Sequence, residues 1–293
     1  MIGKSIRIYL ADGSPRGLRH VEIANWSGQA LACPRSRFSE LKNWPESQRE
    51  GVYMLIENNY SGGQNKVYVG ESENVFKRLS QHDRKKDFWN EVIIFSSKDE
   101  NLTKAHIKYL ESRLTLMAME ADIYLIDNIK NPTEATLPRA DKDAMEEFII
   151  NLKMILGTLG HRLLDPLVNL ASMNQEKTND SLIDKLLFLE INGHKASGTQ
   201  SDDGFILMKG SEISVSNTTS VPGKILELKR NLIDDKTLIE KENKLILEKN
   251  IVLSSSSYAA ALVAGTSRSG PQSWKDSKNK TLKTLEENLL KKK

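Results

Sequence analysis

The chain of 293 residues contains a single cysteine, Cys33. One thiol cannot close an internal disulfide or build a cysteine-rich zinc site. Within QALACPRSRF it reads as a small buried apolar residue before a proline. No apolar run is long enough to span a bilayer. The opening stretch MIGKSIRIYLADG turns polar where a signal peptide needs a continuous apolar core. A cytoplasmic protein with no membrane partner is expected. An excess of one charge is also lacking, since 42 basic and 39 acidic residues leave only +3. That balance does not by itself argue for nucleic acid. No internal repeat is visible, which argues against a solenoid.

The composition that remains is 39% hydrophobic and 28% charged, that of a somewhat polar globular protein with room for two domains. Basic residues cluster locally. Arg16, Arg19, Arg35 and Arg37 dot the beginning of the chain, and Lys77, Arg78, Arg84, Lys85 and Lys86 lie together further on. Such a patch either attracts phosphates in a salt-dependent way or is simply a solvated face.

Hydrophobic periodicity predicts an α+β (mixed α/β) protein. GKSIRIYL, HVEIANW and QALACPRSRF read as strands, so residues 1–48 form a small strand-rich segment, and SRFSELKNWPESQRE reads as a capped helical turn. GVYMLIE and KVYVG are partner strands across the loop NNYSGGQN. ESENVFKRLSQHD is a helix with Ser72 or Asn74 near its start, and EVIIFSS is a third strand. DENLTKAHIKYLESRLTLMAME is a long helix beginning at Leu102 or Thr103, with Ile107, Leu110, Leu114 and Met117 on its buried side. A core over residues 49–135 is followed by a helical extension and linker over 136–195, with a helix from about Asp143 to Leu156. Residues 165–190 look weakly helical, and residues 196–293 form a C-terminal α+β domain. Within that domain KLILEKNIVLSS reads as a hairpin, SSYAAALVAG as a short helix and LKTLEENLLKKK as a fraying helical end.

Chemistry concentrates in the core. Two tyrosines, Tyr53 and Tyr68, stand on neighbouring strands. Arg78 and, four residues on, His82 share one side of the next helix. Glu111 lies at the edge of the buried stripe of the long helix, where a carboxylate wants a partner such as Arg113, or a metal. Cleavage of a phosphodiester needs an activated water, charge neutralisation on the phosphate and a stabilised leaving oxygen. A divalent ion on oxygen ligands supplies the last two. Arginine clamps phosphate through its rigid donor fork. A tyrosine near a cation can serve as base.

Gly51-Val52-Tyr53, then Tyr68-Val69-Gly70, then Arg78 in ESENVFKRLSQHD and Glu111 in HIKYLESRL resemble the GIY-YIG nuclease superfamily, in its order, over about residues 49–135. The resemblance implies a small three-stranded antiparallel sheet flanked by helices. It implies one Mg2+ or Mn2+ ion at Glu111 and hydrolysis of DNA. It assigns catalytic places to Tyr53, Tyr68, Arg78, His82 and Glu111, and to an asparagine for which DNIKNP offers Asn128 and Asn131, the former favoured. The alternative is a DNA-binding module on the same fold that does not cleave. GFILMKGSEISV and SSYAAALVAGTSRSGPQSWK resemble a domain of unknown function that follows some bacterial GIY-YIG domains. Its RSG block places Arg268 in a loop that could meet nucleic acid.

Overall fold

Short segments rich in β-branched and aromatic residues, punctuated by turns, assemble into one sheet in the first part of the chain. A computed structural model describes residues 3–58, 65–82, 86–128, 136–165, 182, 185–201 and 204–291. The strands are β1 (Ile6–Leu10), β2 (Arg19–Ile23), β3 (Gly28–Pro34), β4 (Gly51–Ile56), β5 (Lys66–Ser72), β6 (Glu91–Ser97) and β7 (Leu125–Ile126). They form a seven-stranded sheet in the order β1-β2-β3-β6-β4-β5-β7. The expected antiparallel trio is its β6-β4-β5 portion. The sheet is wider than three strands because β3 pairs with β6 along its whole length, so the N-terminal strands extend it.

Helices cover both faces. On one, α1 (Val75–His82) contributes Val75 and Leu79, which pack with Leu41 and Trp89 over Tyr53, Leu55 and Ile94. Of the two expected starts, Asn74 caps this helix by accepting the Lys77 N–H at 2.9 Å, while Ser72 ends β5. SRFSELKNWPESQRE forms two 3-10 runs, Arg35–Asn43 and Pro45–Gln48, where a capped turn was expected. Pro34 stands where a capping side chain would, and it makes no cap hydrogen bond. On the other face lie α2 (Lys104–Ala121), capped by Thr103, and α3 (Arg139–Thr158). Helix α3 starts ahead of the expected Asp143, because Pro138 ends the extended approach and Asp141 suits the first turn. Glu146 of α3 accepts from the Tyr109 hydroxyl at 2.6 Å and from Arg113 Nε at 2.7 Å, tying the two helices.

The basic residues at the start of the chain are largely occupied. Arg19 pairs with buried Glu91, Arg37 pairs with Asp12 and Glu40, and Arg35 reaches Asp87 while stacking on Trp89. They are fold-building charges more than an open phosphate patch. Burial alone would raise the Glu91 carboxyl. His161 at 2.9 Å, Arg19 and Asn58 outweigh it and hold the group below the usual carboxylate range. Cys33 is buried, as its setting suggested, and burial pushes its thiol up to about 12.

The chain divides into two compact units, Met1–Pro166 and Leu167–Lys293. The second carries β8 (Leu187–Ile191), β9 (His194–Ser201), β10 (Gly204–Leu207), β11 (Glu212–Ile213), β12 (Leu238–Lys241), β13 (Lys244–Leu247) and β14 (Ile251–Leu253). Two sheets result, in the orders β14-β10-β9-β8 and β11-β13-β12. KLILEKNIVLSS is therefore not a hairpin. Its two strands enter different sheets, β13 beside β11 and β12 and β14 beside β10. Residues 187–191 are strand, not weak helix; 166–181 and 183–184 lie outside the described residues. Helices α4 (Gly223–Asp234), α5 (Ser256–Ala264), α6 (Gly270–Ser273) and α7 (Leu282–Leu290) complete the unit. Trp274 is fully buried and donates its Nε1–H to the Ser256 carbonyl at 2.9 Å. Leu282 and Leu285 of α7 join that core. Among the described residues no helix is long and apolar enough to cross a membrane.

Candidate active site

Tyr53 is directly opposite Gly70 in the β4–β5 ladder, and Leu55 is opposite Tyr68. Side chains alternate across a strand, so Tyr53 and Tyr68 share one sheet face. Their rings are tilted with centroids 6.2 Å apart. The glycines of the two triplets have steric reasons. A Cβ on Gly70 would lie 2.5 Å from Cζ and Oη of Tyr53 and 2.9 Å from Cε1 of Tyr68. A Cβ on Gly51 would lie 2.2 Å from the Phe95 carbonyl oxygen. Gly70 thus lets both phenol rings lie down over β5, and Gly51 lets β4 close onto β6.

Helix α1 buries Val75 and Leu79 and so aims Arg78 at the pair. The two hydroxyls and the guanidinium lie within mutual electrostatic and hydrogen-bonding reach. Arg78 is exposed and also donates to Gln81 at 3.3 Å. Burial pushes the Tyr53 hydroxyl well above the usual phenol range, and the neighbouring Tyr68 adds to it. Tyr68 is half-buried. Burial raises its hydroxyl first and the charge of Glu111 second. The Lys86 ammonium lies 4.2 Å from the Tyr68 ring centroid and is ion-paired with Asp127.

Glu111 faces this group from α2. Its carboxyl is pushed up to about 7, by burial first and by Glu71 second, against the pull of Lys104 and Arg78. The Glu71 backbone N–H faces it as well. Arg113, one expected partner of Glu111, is bonded to Glu146 instead. Tyr53, Tyr68, Arg78 and Glu111 therefore converge. His82 ends α1, but its side chain lies outside the described residues, as do residues 59–64, 83–85 and Asn131.

Asn128 follows β7 and pairs its side-chain amide with the backbone of Val69: Oδ1 accepts the N–H at 3.1 Å and Nδ2 donates to the carbonyl at 2.8 Å. It continues the β5–β7 ladder through a side chain and pins the strand between Tyr68 and Gly70. Asn128→Ala strands two backbone groups and is expected to destabilise unit 1 by about 1–3 kcal/mol. Urea unfolding reads this; an unchanged midpoint would show that the pin does not bear on the fold.

Two residues in this cluster carry no motif signal. Glu71 comes directly after Gly70, and its carboxylate is ion-paired with Lys104 at 2.8 Å. Glu73 lies 3.9 Å from the same ammonium. A hard divalent ion fits this donor set. Glu111 offers carboxylate oxygens, the Tyr68 phenol oxygen lies within its electrostatic reach, and Mg2+ commonly takes one or two carboxylates and keeps its waters. Among the described residues no group of three or more His, Cys, Asp or Glu side chains is placed to hold a metal ion.

Comparison with known families adds one match. Residues 187–286 match the family model described as Domain of unknown function (DUF4357), which spans β8 into α7. No curated protein and no solved structure matches the chain. The match does not reach residues 49–135. Within the matched domain a buried lysine went unread. Lys229 on α4 directs its ammonium to the carbonyls of Ser214 (2.5 Å) and Val215 (3.1 Å) and to Asn217 Oδ1 (2.9 Å). Burial lowers its pKa. The signal was a lysine standing in line with Ile225 and Leu232 on an otherwise apolar stripe.

Proposed function

We propose that unit 1 is a divalent-metal-dependent endonuclease that hydrolyses DNA phosphodiester bonds through a GIY-YIG-type site. The observation that carries this reading is the meeting of Tyr53, Tyr68, Arg78 and Glu111, from four separate elements, at one place on the sheet. Mg2+ or Mn2+ held by Glu111 would supply charge neutralisation at the phosphate and at the leaving oxygen. The chain's own residues do the rest. Arg78, exposed and fork-shaped, grips the phosphate. Tyr68, half-buried, is the hydroxyl that a water can reach; once the nearby cations have driven its own proton off to solvent, the phenolate would orient the attacking water and take its proton. Tyr53, wholly buried, holds Tyr68 and Arg78 in register. Asn128 keeps β5 in place beneath them.

The test is cleavage of plasmid, branched and single-stranded DNA with Mg2+ or Mn2+. Wild type is expected to nick or linearise at least one substrate, and Glu111→Ala none. Identical behaviour of the two on every substrate removes the assignment. A second reading, a module that binds DNA without cutting it, draws on one observation: burial raises both phenols, which weakens either as a base at rest. Salt-dependent gel shifts by wild type with no cleavage on any substrate would favour it.

A further inference from the structure

The Tyr68 ring carries a cation on its face that no motif assigns. Lys86 comes from the segment between α1 and β6, and its ammonium lies 4.2 Å from the Tyr68 ring centroid and 5.9 Å from that of Phe88. The lysine side chain is only 15% exposed. A lysine on a connecting segment loses nothing by staying in water, so its burial calls for partners that replace the water. The Tyr68 ring is one, and the Asp127 carboxylate is the other. Strand register explains why both meet here. β5 and β7 run parallel, with Lys66 beside Leu125 and Val67 beside Ile126, and the Asp127 N–H donates to the Val67 carbonyl at 2.8 Å. The next step of that ladder sets Asp127 beside Tyr68 on the same sheet face. We propose that Lys86, anchored by Asp127, is a positioning residue for Tyr68, seating the phenol ring by its face so that the hydroxyl stays beside Arg78 and the attacked phosphate; this rests on the reading of unit 1 as a nuclease.

Tyr68 needs such a seat. Tyr53 is buried in the core under α1, whereas Tyr68 packs only at the margin of that core. Its strand neighbours Val67 and Val69 point to the other face and join the cluster there. An ammonium is drawn to the negative face of a ring and not to its edge, so it fixes the plane of the phenol as apolar packing would not. The placement also suits the chemistry. When the Tyr68 proton has gone to solvent, negative charge spreads into the ring, and the ammonium already stands over it without covering the oxygen that must meet water. Held by Asp127 and largely buried, Lys86 is poorly placed to grip a phosphate, which separates its part from that of exposed Arg78. Asp127 and Asn128 are then consecutive halves of one support. Asn128 pins the backbone of Val69, and Asp127 pins the cation over the ring of Tyr68.

Steady-state cleavage by the full chain with Mg2+, on a DNA that wild type cuts, tests this. Lys86→Met is expected to lower kcat about tenfold, the size of a partly desolvated cation–ring contact, with KM unchanged. Lys86→Arg should restore most of the rate, because a guanidinium also stacks on a ring and pairs with a carboxylate. Asp127→Asn should lower kcat in the same direction and add nothing to Lys86→Met. It alters a more exposed side chain and carries the test should Lys86→Met not fold. A second readout needs no cleavage. With ring-13C tyrosine, nuclear magnetic resonance of Lys86→Met should show the Tyr68 signal shifted and that of Tyr109 in place, Tyr68 being identified by its absence in Tyr68→Phe. A Tyr68 signal that moves in neither Lys86→Met nor Asp127→Asn, or a loss in Lys86→Met that falls on KM alone, overturns the inference. Equal cleavage by wild type and Lys86→Met overturns it and leaves the nuclease reading standing; a wild type that cuts no DNA overturns both.

Discussion

Replacing Glu111 with glutamine is expected to lower DNA cleavage about a thousandfold, the scale of losing a principal electrostatic stabiliser, while raising the melting temperature of the metal-free protein above about pH 7. The two effects share one cause. The Glu111 carboxyl is raised from 4.5 to about 7, chiefly by burial and then by Glu71. An acid whose folded pKa lies above its unfolded value works against the fold once it ionises. Below about pH 4.5 it is protonated in both states and costs nothing. Between that pH and about 7 the cost grows, and above about 7 it is fully present. Glutamine keeps the shape and has no charge to desolvate. The melting temperatures of the two proteins should coincide at acid pH and separate as pH rises, with the variant higher. Scanning calorimetry in the presence of a chelator measures this. A variant that melts lower than wild type at pH 8 would mean that Glu111 is not held under strain. Divalent metal should reverse the ranking, because only the glutamate gains from it.

Glu111 is legible in the sequence because a carboxylate stands at the edge of the Ile107, Leu110 and Leu114 stripe, and all three of those leucines and isoleucines are buried. Periodicity reports burial, and an acid beside burial is conspicuous. Glu71 and Lys104 are not legible in that way. Each stands among ordinary polar residues at an element end, and their significance comes from a strand and a helix meeting in space. The width of the sheet escaped for a related reason. Alternating or short apolar runs identify each of β1 to β6 but do not say that Ala30 and Ala32 face Phe95 and Ile93, which joins the N-terminal strands to the core. The split of β13 and β14 between two sheets is likewise set by partners distant in sequence: Ile213 for one and Phe205 for the other. The role of Asn128 was readable only as an asparagine in a suitable place. Its amide is engaged with the Val69 backbone, which makes it a positioning residue. Arg19, Arg35 and Arg37 are a case in which distant partners decide between two readings. Local clustering left a phosphate surface and a solvated face both open, and acids distant in sequence, Glu91, Asp87 and Asp12, pair with these arginines.

Gly70→Ala is expected to cost unit 1 about 1–3 kcal/mol, the range for overpacking a tight core, and to reduce cleavage at least a hundredfold, since a displacement of about 1 Å at a reacting group has that effect. The backbone at Gly70 does not need a left-handed conformation, so the argument is purely steric. The added methyl would lie 2.5 Å from Tyr53 Cζ and Oη and 2.9 Å from Tyr68 Cε1. Tyr53 cannot retreat, because its ring is fully buried with Leu41, Leu79 and Ile94 in the core beneath α1. Tyr68 is half-buried and yields more readily, but its movement takes its hydroxyl away from Arg78 and Glu111. Either way the tyrosine pair loses register. Tyr53→Leu should separate the steric cost from the catalytic one. It removes the ring that the methyl strikes, so Gly70→Ala in that background should destabilise by less than in wild type, a coupling that a double-mutant cycle in urea measures. Cleavage should not return in the double variant, because the hydroxyl is gone. Equal costs in both backgrounds would mean that the methyl meets its obstacle elsewhere, and that the glycine is not there to seat the tyrosines. Gly51→Ala is the contrasting control. Its methyl meets the Phe95 backbone carbonyl at 2.2 Å, so its cost should fall on the β4–β6 ladder and persist unchanged in Tyr53→Leu.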